Sequence, residues 1–209
     1  MDLYNYSNCK DLSMILDSLT KLPNTLIKIK LHGIGSYELL SFLTRFTNLQ
    51  KLVFFDFKAE GFKVSQHIKF TQLKILKFKG KCPKSKDLIE FLEVNGKNLE
   101  QLYFDDTKDD DSNLILMKFC PNLKSLRTLF GGDVGKLMTI LNDCQQLESL
   151  EICKDYECLV IGTKLLEVVV KYAPEKFHEL KIRYEHMELD EGDDTEPLLS
   201  YNLKYLDLE

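Results

Sequence analysis

Apolar residues in this chain recur as a spaced triplet, L-x-x-L-x-L, eight times. The copies are Leu26-Ile29-Leu31, Leu49-Leu52-Phe54, Leu73-Leu76-Phe78, Leu99-Leu102-Phe104, Leu123-Leu126-Thr128, Leu147-Leu150-Ile152, Phe177-Leu180-Ile182 and Leu203-Leu206-Leu208. Their starting positions differ by 23, 24, 26, 24, 24, 30 and 26 residues. Of the 24 framework positions 23 are apolar, with Thr128 the exception, where a 44% apolar composition would supply about half that by chance. The residue before each triplet is polar in every copy: Thr25, Asn48, Gln72, Asn98, Asn122, Gln146, Lys176 and Asn202. The fourth and sixth positions share strand parity, so their side chains point to one interior, and the first lies on the turn entering the strand. The positions between them point outward. One such unit cannot bury its own apolar edge, whereas stacked units share a continuous core.

Between the predicted strands the apolar period lengthens to that of a helix. Leu39, Leu40, Leu43 and Phe46 form one stripe, and Val134, Leu137, Met138 and Leu141 another. Leu88, Ile89 and Leu92 resemble a third, and Leu165, Leu166 and Val169 a fourth. Ser36, Ser85, Asp133 and Thr163 precede them as expected N-caps. Strand followed by helix predicts an α/β leucine-rich-repeat solenoid of about eight repeats of 23–30 residues. Its horseshoe would carry a concave parallel β-sheet with helices on the convex side. Residues 1–209 then form a single domain, with 1–25 a partial N-terminal repeat or cap and 26–209 the eight repeats, the last truncated. Met1-Asp2-Leu3-Tyr4 reads as the tail of an earlier strand, followed by a helix around Asp11–Leu19. The chain stops at Glu209 directly after a predicted strand with no polar cap, so a fragment or end-to-end pairing is expected.

The segments Phe119-Cys120-Pro121-Asn122-Leu123-Lys124-Ser125-Leu126 and Asp143-Cys144-Gln145-Gln146-Leu147-Glu148-Ser149-Leu150 resemble the cysteine-containing class of leucine-rich repeat. Asn95-Gly96-Lys97-Asn98-Leu99 and Lys171-Tyr172-Ala173-Pro174 are similar to linkers in fungal F-box-like repeat proteins. That resemblance implies substrate receptors of cullin-based ubiquitin ligases, in which the F-box binds the adaptor and the repeats bind the target. Leu22-Pro23 faintly resembles the opening of an F-box, but strand pattern follows at Leu26 with only about 25 residues before it, so the F-box itself is expected to be absent. A ubiquitin-ligase adaptor would then be a partner only through an F-box elsewhere.

Composition narrows the functional classes. A net charge of −5 supplies no overall basic field, which argues against nucleic acid as a partner. No run of 18 apolar residues predicts a membrane span, and the N-terminus lacks a secretory pattern, so a cytoplasmic or nuclear protein is expected. The six cysteines (Cys9, Cys82, Cys120, Cys144, Cys153 and Cys158) contain no C-x-x-C pair and read as reduced thiols. Cys120 and Cys144 stand at equivalent places and read as small buried groups. Cys153 has outward register and is expected at the surface.

No motif licenses catalysis. Gly131-Gly132-Asp133-Val134-Gly135-Lys136 follows a strand and opens a helix, as a phosphate-binding loop does. However, Phe130 stands at the first glycine position and Leu137 at the hydroxyl position, so a glycine turn with an aspartate cap fits better. The acidic runs Asp105, Asp106, Asp109, Asp110, Asp111 and Asp190, Glu191, Asp193, Asp194 lack calcium-loop spacing. His32, His67, His178 and His186 share no zinc spacing with the cysteines. The expectation is no enzyme, no cofactor and no metal.

The outward strand positions are therefore the candidate partner-binding residues. The first three repeats offer Lys28, Lys30, His32, Lys51, Val53, Phe55, Lys74, Lys77 and Lys79, with six lysines and no acid among them. Tyr103 and Arg127 extend the surface, while Glu100, Asp105, Glu148 and Glu151 alternate with Lys124, Lys181 and Arg183 further on. The expected partner is another protein bearing an acidic segment, held by Phe55 and Tyr103 as anchors. A stoichiometric enzyme inhibitor or regulatory scaffold would use the same surface.

Overall fold

The computed structural model describes residues 2–4, 25–33, 42–43, 45–56, 68–106, 117–154, 162–184 and 198–202. Strands β1 (Asp2–Tyr4), β2 (Lys28–His32), β3 (Lys51–Phe55), β4 (Ile75–Lys81), β5 (Gln101–Asp106), β6 (Ser125–Leu129), β7 (Ser149–Lys154), β8 (Glu179–Tyr184) and β9 (Leu198–Asn202) lie side by side in chain order. Helices α1 (Ser85–Asn95), α2 (Val134–Asp143) and α3 (Gly162–Tyr172) connect β4 to β5, β6 to β7 and β7 to β8. The class is α/β with a parallel sheet. Strands β1 to β8 pair parallel, and β9 pairs antiparallel with β8.

Register follows the triplet. Leu52, Leu76, Leu102, Leu126, Leu150 and Leu180 are successive partners across the sheet, all essentially inaccessible to water. One row over, Phe54, Phe78 and Phe104 stack with ring centroids 5.1 and 6.0 Å apart. This aromatic spine fills the interior where side-chain parity demands large apolar groups. Thr128, the one polar framework residue, is buried and satisfies its hydroxyl on the Leu129 carbonyl at 3.2 Å.

The helices cover this apolar face. Leu88, Phe91 and Leu92 of α1, Leu137, Ile140 and Leu141 of α2, and Leu165 and Val169 of α3 join one core with the strand leucines. Phe91 and Ile140 occupy the interior more fully than the predicted Ile89, Val134 and Met138, because each stripe is rotated slightly about its helix axis. Asp133 caps α2 as expected, accepting from the Gly135 amide at 2.9 Å. Ser85 does not cap α1: Lys84 holds that position without a side-chain bond, and Ser85 is the first helical residue. Thr163 likewise lies inside α3. Helix boundaries of this kind depend on tertiary packing as much as on local sequence.

The turns entering the strands are built alike. The first framework residue donates its amide to the carbonyl three residues back: Leu49 to Phe46, Leu99 to Gly96, Leu123 to Cys120, Leu147 to Cys144 and Phe177 to Pro174. That upstream position is buried in each case, so the cysteines fill a structural niche. Burial pushes both thiols up to about 12. The polar residue preceding the triplet also has a structural use. Asn98 donates to the Thr71 carbonyl at 3.2 Å and Asn122 to the Lys97 carbonyl at 2.8 Å. Each tethers its turn to the preceding one.

Two further residues lock this layer. Asn95, buried at the end of α1, accepts from the Phe70 amide at 2.7 Å and donates to the Ile68 and Phe91 carbonyls at 2.7 and 3.1 Å. At Gly96 a Cβ would stand 2.5 Å from the Phe119 carbonyl oxygen, so only glycine permits this approach.

Several expectations fall outside the described residues: the first helical stripe at Ser36, Leu39 and Leu40, the helix at Asp11–Leu19, and the eighth triplet from Leu203. So do Cys9, Cys158, His67, His186, Asp109 to Asp111 and the second acidic run. The last strand described, β9, precedes Leu203 and runs antiparallel.

Candidate partner-binding face

The sheet face opposite the helices carries the residues between framework positions, in rows set by the register. Lys28 is beside Lys51 and then Ile75 and Gln101. Lys30, Val53, Lys77, Tyr103, Arg127, Glu151 and Lys181 make the central row. His32, Phe55 and Lys79 make the third. Nine of the eleven predicted residues lie on this face as expected, half-buried or exposed.

Val53 and Lys74 depart from expectation. Val53 is only 3% exposed although its register is outward. It is short and flanked by Lys30 and Lys77, whose stems shield it. Lys74 precedes β4 and stands at the rim, bound to Glu100 at 3.0 Å. Cys153 is also corrected: its outward register leaves it fully buried between the longer Leu129 and Arg183.

Charge on the face divides into two regions. From β5 to β8 the cations meet acids. Glu151 receives Arg127 at 3.3 Å and the Arg183 guanidinium, Lys181 meets Glu179 at 2.8 Å, and Glu100 takes Lys124 as well as Lys74. Its two lysines hold the Glu100 carboxyl below the usual range, the Lys74 hydrogen bond most strongly. Ser149 donates to Ser125 at 2.8 Å, and the Ser125 and Tyr103 hydroxyls are 3.3 Å apart. A depression of about 290 Å³ lies here, lined in part by Glu100, Ser125, Ser149 and Glu179.

On β3 and β4, Lys51, Lys77 and Lys79 meet no carboxylate within ion-pair distance among the described residues. Lys77 Nζ lies 3.5 Å from the Tyr103 ring centroid, and Lys79 Nζ lies 5.3 Å from that of Phe55. His32 stacks on the other side of Phe55, centroids 4.2 Å apart. Burial pushes the Lys77 ammonium down to about 8, and repulsion from Lys51 and Lys79 adds to this, against a small opposing pull from Glu151. Lys51 is lowered by burial and by Lys28, Lys30 and Lys79. Lys30 is different, since Asp2 on β1 meets it at 2.8 Å.

Sequence reasoning missed Asp2 as a neutralising partner, Ile75 and the Tyr103–Ser125–Ser149 network. The outward parity of Ile75 was the available signal. The other contacts depend on which strands are neighbours. Among the described residues no helix is long and apolar enough to cross a membrane. No protein-family model and no curated protein matches the chain.

Proposed function

We propose that this chain is a leucine-rich-repeat solenoid of about eight repeats that binds another protein through its open, concave sheet face. In this reading it is the target-recognition region of an F-box-like protein and performs no catalysis. The cluster of Lys51, Lys77 and Lys79 beside Phe55 and Tyr103, which meets no carboxylate within ion-pair distance among the described residues, carries the reading. Crowding the partly desolvated Lys51 and Lys77 ammoniums together with Lys79 is unfavourable for the isolated chain, and an acidic partner segment would relieve it. The aromatic rings supply rigid contact area at low entropic cost. Equal register along the strands, a single core and the repeated turn geometry support the solenoid part of the proposal.

Affinity capture from native extract, using wild type and a Lys51→Glu/Lys77→Glu variant, tests the assignment. An adaptor–cullin complex recovered together with a target lost in the variant is the expected outcome. A single enzyme recovered without adaptor or cullin would favour a stoichiometric inhibitor or scaffold on the same face. Equal recovery by both proteins would exclude the lysine-bearing face.

A further inference from the structure

We infer that Asn95 and Gly96 form a fold-guarded self-modification site, where opening of the α1 end lets the chain deamidate itself and bars its return to the folded state. The inference is independent of what binds the sheet face. Asn-Gly occurs once in the sequence. In the reaction the Gly96 main-chain nitrogen gives up its proton and bonds to Asn95 Cγ. The Cγ–Nδ2 bond breaks, and ammonia leaves with that proton. Water then opens the resulting five-membered imide at either carbonyl, giving aspartate or isoaspartate. Glycine favours the step because no Cβ shields the attacking nitrogen.

The folded chain opposes each requirement. Asn95 Oδ1 accepts from the Phe70 amide at 2.7 Å, and Nδ2 donates to the Ile68 and Phe91 carbonyls at 2.7 and 3.1 Å. These bonds fix the side-chain amide plane, whereas ring closure must rotate Cγ onto the next main-chain nitrogen. That nitrogen already donates its proton to the Leu92 carbonyl at the helix end. The backbone has no room to swing: Asn95 holds a helical ψ of −14°, and Gly96 packs so closely on the Phe119 carbonyl and the Cys120 sulfur that a Cβ would not fit. Asn95 is only 3% exposed, which keeps hydrolytic water away. Opening the last turn of α1 removes these restraints together.

The product does not fit the site it leaves. A carboxylate only accepts, so the Ile68 and Phe91 carbonyls would face negative oxygens in place of their donor. Isoaspartate also carries the main chain through Cβ and Cγ, lengthening it where the packing around Gly96 is tightest. Reaction in the opened chain is therefore one-way.

Peptide mapping by mass spectrometry tests the site on the full chain, following the mass gained when NH2 becomes OH at position 95. The rate is expected to be about a hundredfold or more slower in neutral buffer than in guanidinium chloride at the same pH. Leu92→Val, which loosens the α1 end, should raise the rate in buffer about fivefold and leave the denatured rate unchanged. Similar wild-type rates in buffer and denaturant, or no acceleration in Leu92→Val, overturns the guard. Chains held in denaturant are then diluted into buffer and separated by size exclusion. The refolded fraction is expected to retain Asn95, and the fraction that fails to refold to carry the modified residue. Refolding of modified and unmodified chains in equal proportion overturns the one-way consequence.

Discussion

Replacing Lys77 with methionine should stabilise the folded protein while weakening its binding face. The ammonium is pushed from its ordinary value of 10.5 down to about 8, mainly by burial and then by Lys51 and Lys79. At about 1.36 kcal/mol per unit, the unscreened penalty on the charged form is roughly 3 kcal/mol. The side chain is only half-buried, so solvent screening reduces this to about 1.5 kcal/mol. Losing the contact with the Tyr103 ring returns about 0.5 kcal/mol. Lys77→Met is therefore worth about 1 kcal/mol of added stability at pH 7, or a rise in Tm of about 3 °C for a chain of this size.

The sign of the pH dependence separates this cause from packing. Below pH 8 Lys77 is protonated in both folded and unfolded chains, and the penalty is present in full. Between pH 8 and 10.5 the folded form has released its proton while the unfolded form retains it, so the wild type gains stability as pH rises. The advantage of Lys77→Met should then shrink to about half or less by pH 10. Lys77→Arg cannot deprotonate and should keep its penalty across the range. Urea denaturation at pH 7 and pH 10 provides the comparison. A variant less stable than wild type at pH 7, or an advantage unchanged at pH 10, would refute electrostatic crowding as the cause.

Three other substitutions probe the supports of the face. Asn95→Ala removes three buried hydrogen bonds and strands the Phe70 amide and Ile68 carbonyl, so urea unfolding should show a loss of about 3 kcal/mol. Gly96→Ala drives a methyl against the Phe119 carbonyl and should cost about 2 kcal/mol, with calorimetry giving a lower Tm. Glu151→Gln leaves Arg127 and Arg183 without their shared carboxylate. It should cost about 1 kcal/mol and, by extending the cationic region, speed low-salt association with an acidic peptide in stopped-flow measurements.

The strands were legible because parity expresses burial directly: Leu52, Phe54 and their equivalents must all turn to one side, and a one-residue slip would expose every one of them. The outward residues followed from the same parity, yet their environments did not. Val53 and Cys153 have outward register but are short beside longer neighbours, so lateral packing buries them. The lysine count in the first three repeats overstated the free positive charge, because Asp2 reaches Lys30 and Glu100 reaches Lys74 only once strands 28 and 26 residues apart become adjacent. Asn95 carried no local signal at all. Its three partners comprise one helical neighbour and two groups on a separate segment, and only the folded chain brings them together.

The central claim is that the open sheet face receives a protein partner, and site-specific photo-crosslinking in native extract tests it most directly. A photoreactive residue would be placed at Phe55 or Gln101 on the open face, and in parallel at Glu93 of α1 or Asn142 of α2 on the helical side. The account predicts a discrete adduct from positions 55 and 101, lost with Lys51→Glu/Lys77→Glu, and none from 93 or 142. The same adduct from the helical positions, with none from 55 and 101, would contradict it.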